Sequence, residues 1–197
     1  MKVFNFIVKF FLIYFSLVNS SFSVNPSEFI NSISIEASEI LTSKLSESEK
    51  VSKLKMIAEE SVDIDGVGLY TLGKYRKTLT NEQKEEYKKL FREYFLKSFS
   101  GRLVVYNDAK IAVISEEVKN EKYTIVYSKL IGTTDRPEVK IDWRVYTKNP
   151  EKPLIRDLVI EGLSLARTQK EEFNSIIENS DGDISALFTN LRTFLNK

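Results

Sequence analysis

The chain has 197 residues, 42% of them hydrophobic and 29% charged, with 29 Lys and Arg against 28 Asp and Glu. This fits one globular domain with a sizeable core and excludes a disordered architecture; the near-zero charge gives neither the basic field nucleic acid requires nor an acidic cation store. There is no Cys and no His, which removes disulfides, thiolate nucleophiles, imidazole bases and structural zinc sites together, and no EF-hand-like spacing of acids with Gly appears, so neither a metal nor a cofactor is expected.

Residues 1–23 read as an export signal. Lys2 gives a positive start, Lys9 is followed by the apolar run FFLIYFSLV, and Ser21-Phe22-Ser23 offers small residues around a cleavage point. That run is too short to span a bilayer. A signal peptide is therefore predicted rather than an anchor, leaving residues 24–197 as a single exported domain, periplasmic in a Gram-negative source. Loss of Lys2 and Lys9 leaves 27 basic against 28 acidic side chains, a mature charge of −1.

Pro26-Ser27 opens a first helix with Phe29, Ile33, Ala37, Ile40, Leu41 and Leu45 on one face. Ser46 and Glu49 have capping-box spacing and open a second helix carrying Val51, Leu54, Ile57 and Ala58. Asp65 is the expected cap of a short third helix holding Gly66 and Gly68, with Gly73 beyond it. Such glycines mark a bend or a close backbone approach, and their spacing is not that of a phosphate loop.

Thr80 and Gln83 then form a second capping box, with Glu82, Glu85 and Glu86 in the turns that the helix dipole favours. Behind it Tyr87, Leu90, Phe91, Tyr94, Phe95 and Phe99 recur at three- and four-residue steps, predicting one long amphipathic helix with an aromatic stripe. A stripe that bulky either fills a thick core or walls a cavity.

After Gly101 the period changes from helical to alternating. Lys110–Val118, Tyr123–Ile131, Val139–Thr147 and Ile155–Glu161 are rich in β-branched and aromatic residues, with turn signals at Asn107-Asp108, Asn120-Glu121, Asp135-Arg136-Pro137 and Asn149-Pro150. Short turns between successive strands predict an antiparallel meander of about four strands. In the third strand Val139, Ile141, Trp143 and Val145 share one face against Lys140, Asp142 and Arg144; in the second, Ile125 and Tyr127 are set on the apolar face. A helix around Phe173, Ile176 and Ile177 and another bearing Ile184, Leu187, Phe188, Leu191 and Phe194 close the chain. Helices, sheet, then helices is an α+β order, and the long aromatic helix is the expected cover of the sheet.

Two stretches carry a resemblance. TLGKYRKTLTNEQKEEYKKLFREYF is similar, through Leu72, Gly73, Tyr75, Thr80, Gln83 and Phe91, to a pattern of the MlaC family of periplasmic phospholipid shuttles, also called toluene-tolerance proteins. VKIDWRVY, then RDLVIEGLSLARTQKEEFNSII with Asp157, Glu161, Gly162, Leu163 and Ser164, then GDISALFTNL, resemble the family's strand, turn and closing helices in the same order. The likeness runs from Val62 to Leu195; Arg76 departs from it where an aromatic is common, and so does the glycine-rich VDIDGV.

The resemblance implies a twisted antiparallel sheet packed against helices in a cone-shaped, nuclear-transport-factor-like architecture with an apolar cavity. It implies phospholipid as the bound ligand and no catalytic residue. The implied partners are an inner-membrane ABC transporter with an MCE-domain subunit, for which the chain would be the auxiliary component, and an outer-membrane lipoprotein complex; together they would maintain outer-membrane lipid asymmetry. The cavity wall is expected from Leu72, Tyr75, Phe91, Phe95, Phe99, Ile125, Tyr127, Val139, Trp143 and Val145. Two alternatives stay open on the residues alone. One is an enzyme using Asp157 and Glu161, with Tyr127, on a small hydrophobic substrate; the other is an adaptor whose aromatic stripe is only core. Lys74, Arg76 and Lys77 near the helix break, and Lys140 and Arg144 on the outer sheet face, are candidates for contact with a partner or a headgroup, or are simply solvated charge.

Overall fold

Each helix begins at a side chain able to take up free backbone N–H groups. In the computed structural model, which describes residues 23–105, 110–133 and 137–197, Asn25 caps α1 (Pro26–Thr42) by accepting from the Glu28 amide. Ser46 and Glu49 close the expected box at the start of α2 (Glu47–Ser61), and Thr80 and Gln83 do the same for α4 (Asn81–Leu103). The cap of α3 (Ile64–Thr71) is Asp63 and not Asp65. The Asp63 amide is still tied to the carbonyl of Ile155 on the sheet, so the helix starts as soon as the chain leaves that bond, and Asp65 instead pairs with Arg92. A 3₁₀ turn, Gly73–Lys77, links α3 to α4.

The expected leader, residues 1–22, lies outside the described residues, as do the turn signals at Asn107-Asp108 and Asp135-Arg136. Among the described residues no helix is long and apolar enough to cross a membrane.

The sheet is an antiparallel meander of β1 (Ile111–Asn120), β2 (Tyr123–Leu130), β3 (Val139–Tyr146), β4 (Leu154–Ile160) and a two-residue β5 (Leu163–Ser164), in the spatial order of the sequence. The fifth strand, beyond the four expected, is returned by the turn Glu161-Gly162, whose φ values of 48° and 82° are those a two-residue primed hairpin turn demands. From it the chain runs into α5 (Leu165–Glu178) and then α6 (Ile184–Leu195).

Two expectations about this sheet are overturned. β2 faces the other way: Val126 pairs with Trp143, Thr124 with Val145 and Ser128 with Ile141, so these share the covered face, while Ile125 and Tyr127 lie opposite Arg144 and Asp142 on the outer face. Both faces of YTIVYSKL are apolar enough to be buried, and with a period of two only pairing with β3 fixes which one is. The helix over the sheet is α1, packed on β1 and β2, rather than α4, which packs on α2, α3 and α6.

The aromatic stripe of α4 therefore meets other helices. Tyr87 stacks on Phe91 and Phe188, Phe91 meets Phe173 edge-on, and Tyr94 lies against Phe173 and Phe194. Gly68 of α3 lets Phe91 come this close: a Cβ there would sit 2.7 Å from the ring. Gly68→Ala is expected to lower stability by about 1–2 kcal/mol despite Ala's better helix propensity, because the ring is locked in a filled core. Urea unfolding of the two proteins, read as a shift in midpoint at constant slope, checks this.

Candidate functional site

Packing divides the apolar interior into two clusters. One lies among the helices: Ile64, Val67, Leu72, Tyr87, Phe91 and Phe173 are buried there with the apolar face of α6. The other lies on the sheet under α1 and contains Ile30, Val126, Ile141, Trp143, Val145 and Ile155. Among the described residues, Val62 is the one side chain packed against both. The boundary between the two clusters is thus a seam that little apolar packing crosses.

The ten predicted wall residues distribute unevenly about this seam. Leu72 and Phe91 are buried to 2% exposure or less in the helical cluster, and Val145 is wholly buried in the sheet cluster. Those three are packing residues. Tyr75, in the 3₁₀ turn, lies half-buried on the helical cluster with the Lys74 ammonium 5.1 Å from its ring centre. Trp143 is held within the sheet cluster: its indole N–H donates to the Ser128 hydroxyl at 2.8 Å, and that hydroxyl donates to the Ile141 carbonyl at 3.0 Å. Ser128, one of the two polar residues that make this face of β2 look solvated, is thus the buried partner of the indole.

Phe95, Phe99 and Val139 remain half-buried. Phe95 stacks flat on Phe99, with ring centres 5.8 Å apart, and Val139 pairs with Leu130 at the open end of the sheet. With Leu130 and Leu158, which sequence reasoning did not single out, they are apolar surface left incompletely covered once both clusters are packed. Ile125 and Tyr127 do not join them. Tyr127 instead donates its hydroxyl to Glu117 at 2.7 Å across the outer face, and that bond holds its own proton more tightly than usual.

The carboxylates considered for catalysis are each engaged elsewhere. Asp157 is 8% exposed and accepts from the Ser164 hydroxyl at 2.6 Å, the Ala166 amide at 3.0 Å and the Arg144 guanidinium at 3.1 Å. It joins β3 and β4 to the start of α5, which Ser164 caps. Glu161, in the hairpin turn, accepts from the backbone amide of Lys140. Asp157, Glu161 and Tyr127 therefore serve three different contacts and do not converge. Among the described residues no group of three or more acids assembles that could hold a metal ion. Of the surface cations, Lys74 pairs with Glu178 at 2.8 Å and Arg144 with Asp157, both across element boundaries.

Two concavities open on the surface of the described residues. One, about 310 Å³, lies between α1 and the open end of the sheet, lined by Ser34, Ile35, Ser38, Glu39, Lys110, Ile111 and Ile131. The other, about 260 Å³, sits between the 3₁₀ turn and α5 and is lined by Lys74, Lys170, Glu171, Asn174 and Glu178. Neither is lined by a predicted wall residue, and neither is the deep apolar cavity that the resemblance implies.

The model of the MlaC protein family matches residues 32–193 of this chain. Among solved structures, the phospholipid-binding protein from Ralstonia solanacearum, determined in complex with a phospholipid, aligns with a TM-score of 0.73 over 88% of this chain and 98% of its own, at 17% identity. At that identity the likeness is one of fold, and it bears out the α+β architecture with an antiparallel sheet packed against helices.

Proposed function

The chain belongs to the MlaC protein family, and from that premise we propose that it is a phospholipid-binding shuttle of the periplasm, a carrier rather than an enzyme. Its cargo moves between an inner-membrane ABC transporter with an MCE-domain subunit and an outer-membrane lipoprotein complex, and the purpose is to keep the outer membrane asymmetric. Residues 1–23 are the export signal and 24–197 the single lipid-binding domain.

The observation that carries this reading is the divided core. Acyl chains in water cost about 0.8 kcal/mol per methylene, so a carrier needs an apolar interior that admits them and then closes. A single jigsaw core cannot do so without unpacking. Two separately packed clusters that, among the described residues, share only Val62 can. In this reading the tails lie along the seam against Phe95, Phe99, Val139, Leu130 and Leu158, with Trp143 fixed beneath them, while Leu72, Phe91 and Val145 support the wall from behind. The fold's likeness to a protein solved with phospholipid bound supports the same reading.

The experiment is direct. The full chain is expressed with its leader in a Gram-negative host, recovered from the periplasm under mild conditions, and examined by native mass spectrometry and lipid extraction. Phospholipid is expected at about one molecule per protein, with two acyl chains. Protein recovered wholly empty, and still empty after incubation with phospholipid vesicles, would sink the proposal.

A further inference from the structure

One of the joints between the two clusters, at one end of the sheet, is a contact more elaborate than a simple ion pair. Val62 forms an isolated parallel bridge with Ile155, and the next amide, that of Asp63, donates to the Ile155 carbonyl at 3.0 Å. The Asp63 carboxylate then serves both layers. One oxygen accepts from the Gly66 amide and caps α3; the other accepts from Nε of Arg156 at 2.6 Å. Gly66 makes room for this, since a Cβ there would lie 2.4 Å from the carboxylate oxygen.

Arg156 is aimed at Asp63 by the sheet itself. The register of β3 with β4 slips between Arg144 and Val145, which pair with Asp157 and Ile155, so Arg156 is the extra residue of a bulge. Bulges re-aim a side chain in this way. Its guanidinium lies 3.5 Å from the Tyr146 ring centre and donates to the Tyr123 hydroxyl at 2.8 Å. Burial works against its charge, yet the hydrogen bonds to Tyr123 and Asp63 outweigh that and raise its pKa above the usual value. With side-chain exposures of 30% for Arg156 and 18% for Asp63, the pair is shielded enough to hold its geometry.

The opposite end of the sheet, about 17 Å away along β4 at 3.3 Å per residue, is built differently. There Ile111 pairs with Leu130, Leu130 with Val139, and Ile160 with Leu163. Ile131 and Leu163 stand 45% and 58% exposed beside them. The Val62–Ile155 end is tied by charge, stacking and backbone bonds; a second joint holds Ser164 and Ala166 of the α5 start on Asp157 of β4, and the corner of the sheet farthest from both joints, around Ile111, Leu130 and Ile131, presents apolar side chains to water.

We propose that Arg156 is the positioning residue of the lipid seam: acting through Asp63, it fixes the helical cluster on the sheet cluster at the Val62–Ile155 end, so that the seam opens only at the far corner of the sheet marked by Ile131. This rests on the reading of the chain as a phospholipid carrier. Arg156 itself touches no lipid.

The test uses the full chain and vesicles of phosphatidylethanolamine and phosphatidylglycerol carrying a fluorescent phosphatidylethanolamine, with Trp143 as the intrinsic reporter. Because the native chain has no Cys, the double variant Val62→Cys/Ile155→Cys can be oxidised to pin the joint, and the reduced form is its own control. Oxidised protein is expected to exchange lipid within about twofold of the reduced rate, since a fixed joint has no need to open. Arg156→Ala is expected to release lipid at least fivefold faster, and Arg156→Lys to recover only part of that loss because it keeps the charge but not the planar fork. Lipid that exchanges when the disulfide is reduced but is locked in or out when it is oxidised would overturn the proposal. So would Arg156→Ala with an unchanged release rate, or with faster release that merely tracks a matching loss of thermal stability. A wild-type chain that takes up no lipid defeats the carrier reading instead, so the two failures are distinguishable.

Discussion

Phe99→Glu is expected to leave a folded protein that carries at least tenfold less phospholipid than the native chain. Phe99 is half-buried near the C-terminal end of α4, belongs to neither apolar cluster, and stacks on Phe95 alone. Losing that pair costs about 1 kcal/mol, and Glu is itself a good helix former, so the helix survives. A carboxylate in a hydrocarbon-lined seam must either be desolvated or keep its water, and each 1.4 kcal/mol of that penalty is tenfold in affinity. Val139→Glu at the open end of the sheet is expected to behave in the same way. Leu72→Glu is the contrast. Leu72 is wholly buried in the helical cluster, so the variant is expected to unfold or fail to accumulate. Circular dichroism and extracted lipid, measured on all three proteins, separate wall from core. Full lipid loading in Phe99→Glu and Val139→Glu would show that α4 and the sheet do not line the cargo site.

A large loss of stability with the fold retained is expected at a residue with no part in binding. Asp157→Ala should lower stability by about 3 kcal/mol and the melting temperature by about 6–12 °C. The carboxylate is nearly inaccessible and accepts three hydrogen bonds from the Ser164 hydroxyl, the Ala166 amide and Arg144. Hydrogen bonds to a charged group are worth about 1.5–3 kcal/mol each in partly buried settings. The Arg144 contribution is discounted because that side chain is 44% exposed and can turn to water. Removal leaves the first turn of α5 without its anchor on β4. Scanning calorimetry measures the change; a shift under 2 °C would show that Ser164 and Ala166 find water in place of the carboxylate.

Local structure was open to reading from local chemistry. Ser46 with Glu49 and Thr80 with Gln83 sit three apart, and a capping box needs nothing from the rest of the molecule, so both starts were found. The two closing helices and the four long strands likewise followed from periodicity. The Asp63 cap was missed in favour of Asp65 because the choice depends on Ile155, 92 positions along the chain, whose carbonyl holds the Asp63 amide. The two-residue strand β5 is too short to leave a period, and only the turn at Glu161-Gly162 betrays it. Ile125 and Tyr127 were assigned to the wrong face because β2 is nearly as apolar on one side as on the other, and the decisive fact, that Ser128 receives the Trp143 indole, belongs to two strands at once.

Residue type and spacing within single segments settle the six helices, the four long strands and the absence of thiol and imidazole chemistry, and the order of the motifs along the chain points to the family. What the aromatic stripe of α4 does depends instead on packing between distant segments. Tyr87, Phe91 and Tyr94 close against Phe173, Phe188 and Phe194 of the last two helices, Phe95 packs beside Phe91, and of the stripe's aromatics Phe99 alone lies outside both clusters, stacked on Phe95. An apolar face carries the same free energy of burial whatever covers it, so its partner is set by which elements the chain brings alongside. Here that arrangement divided one expected core into two and placed Asp63 and Arg156 at the joint between them.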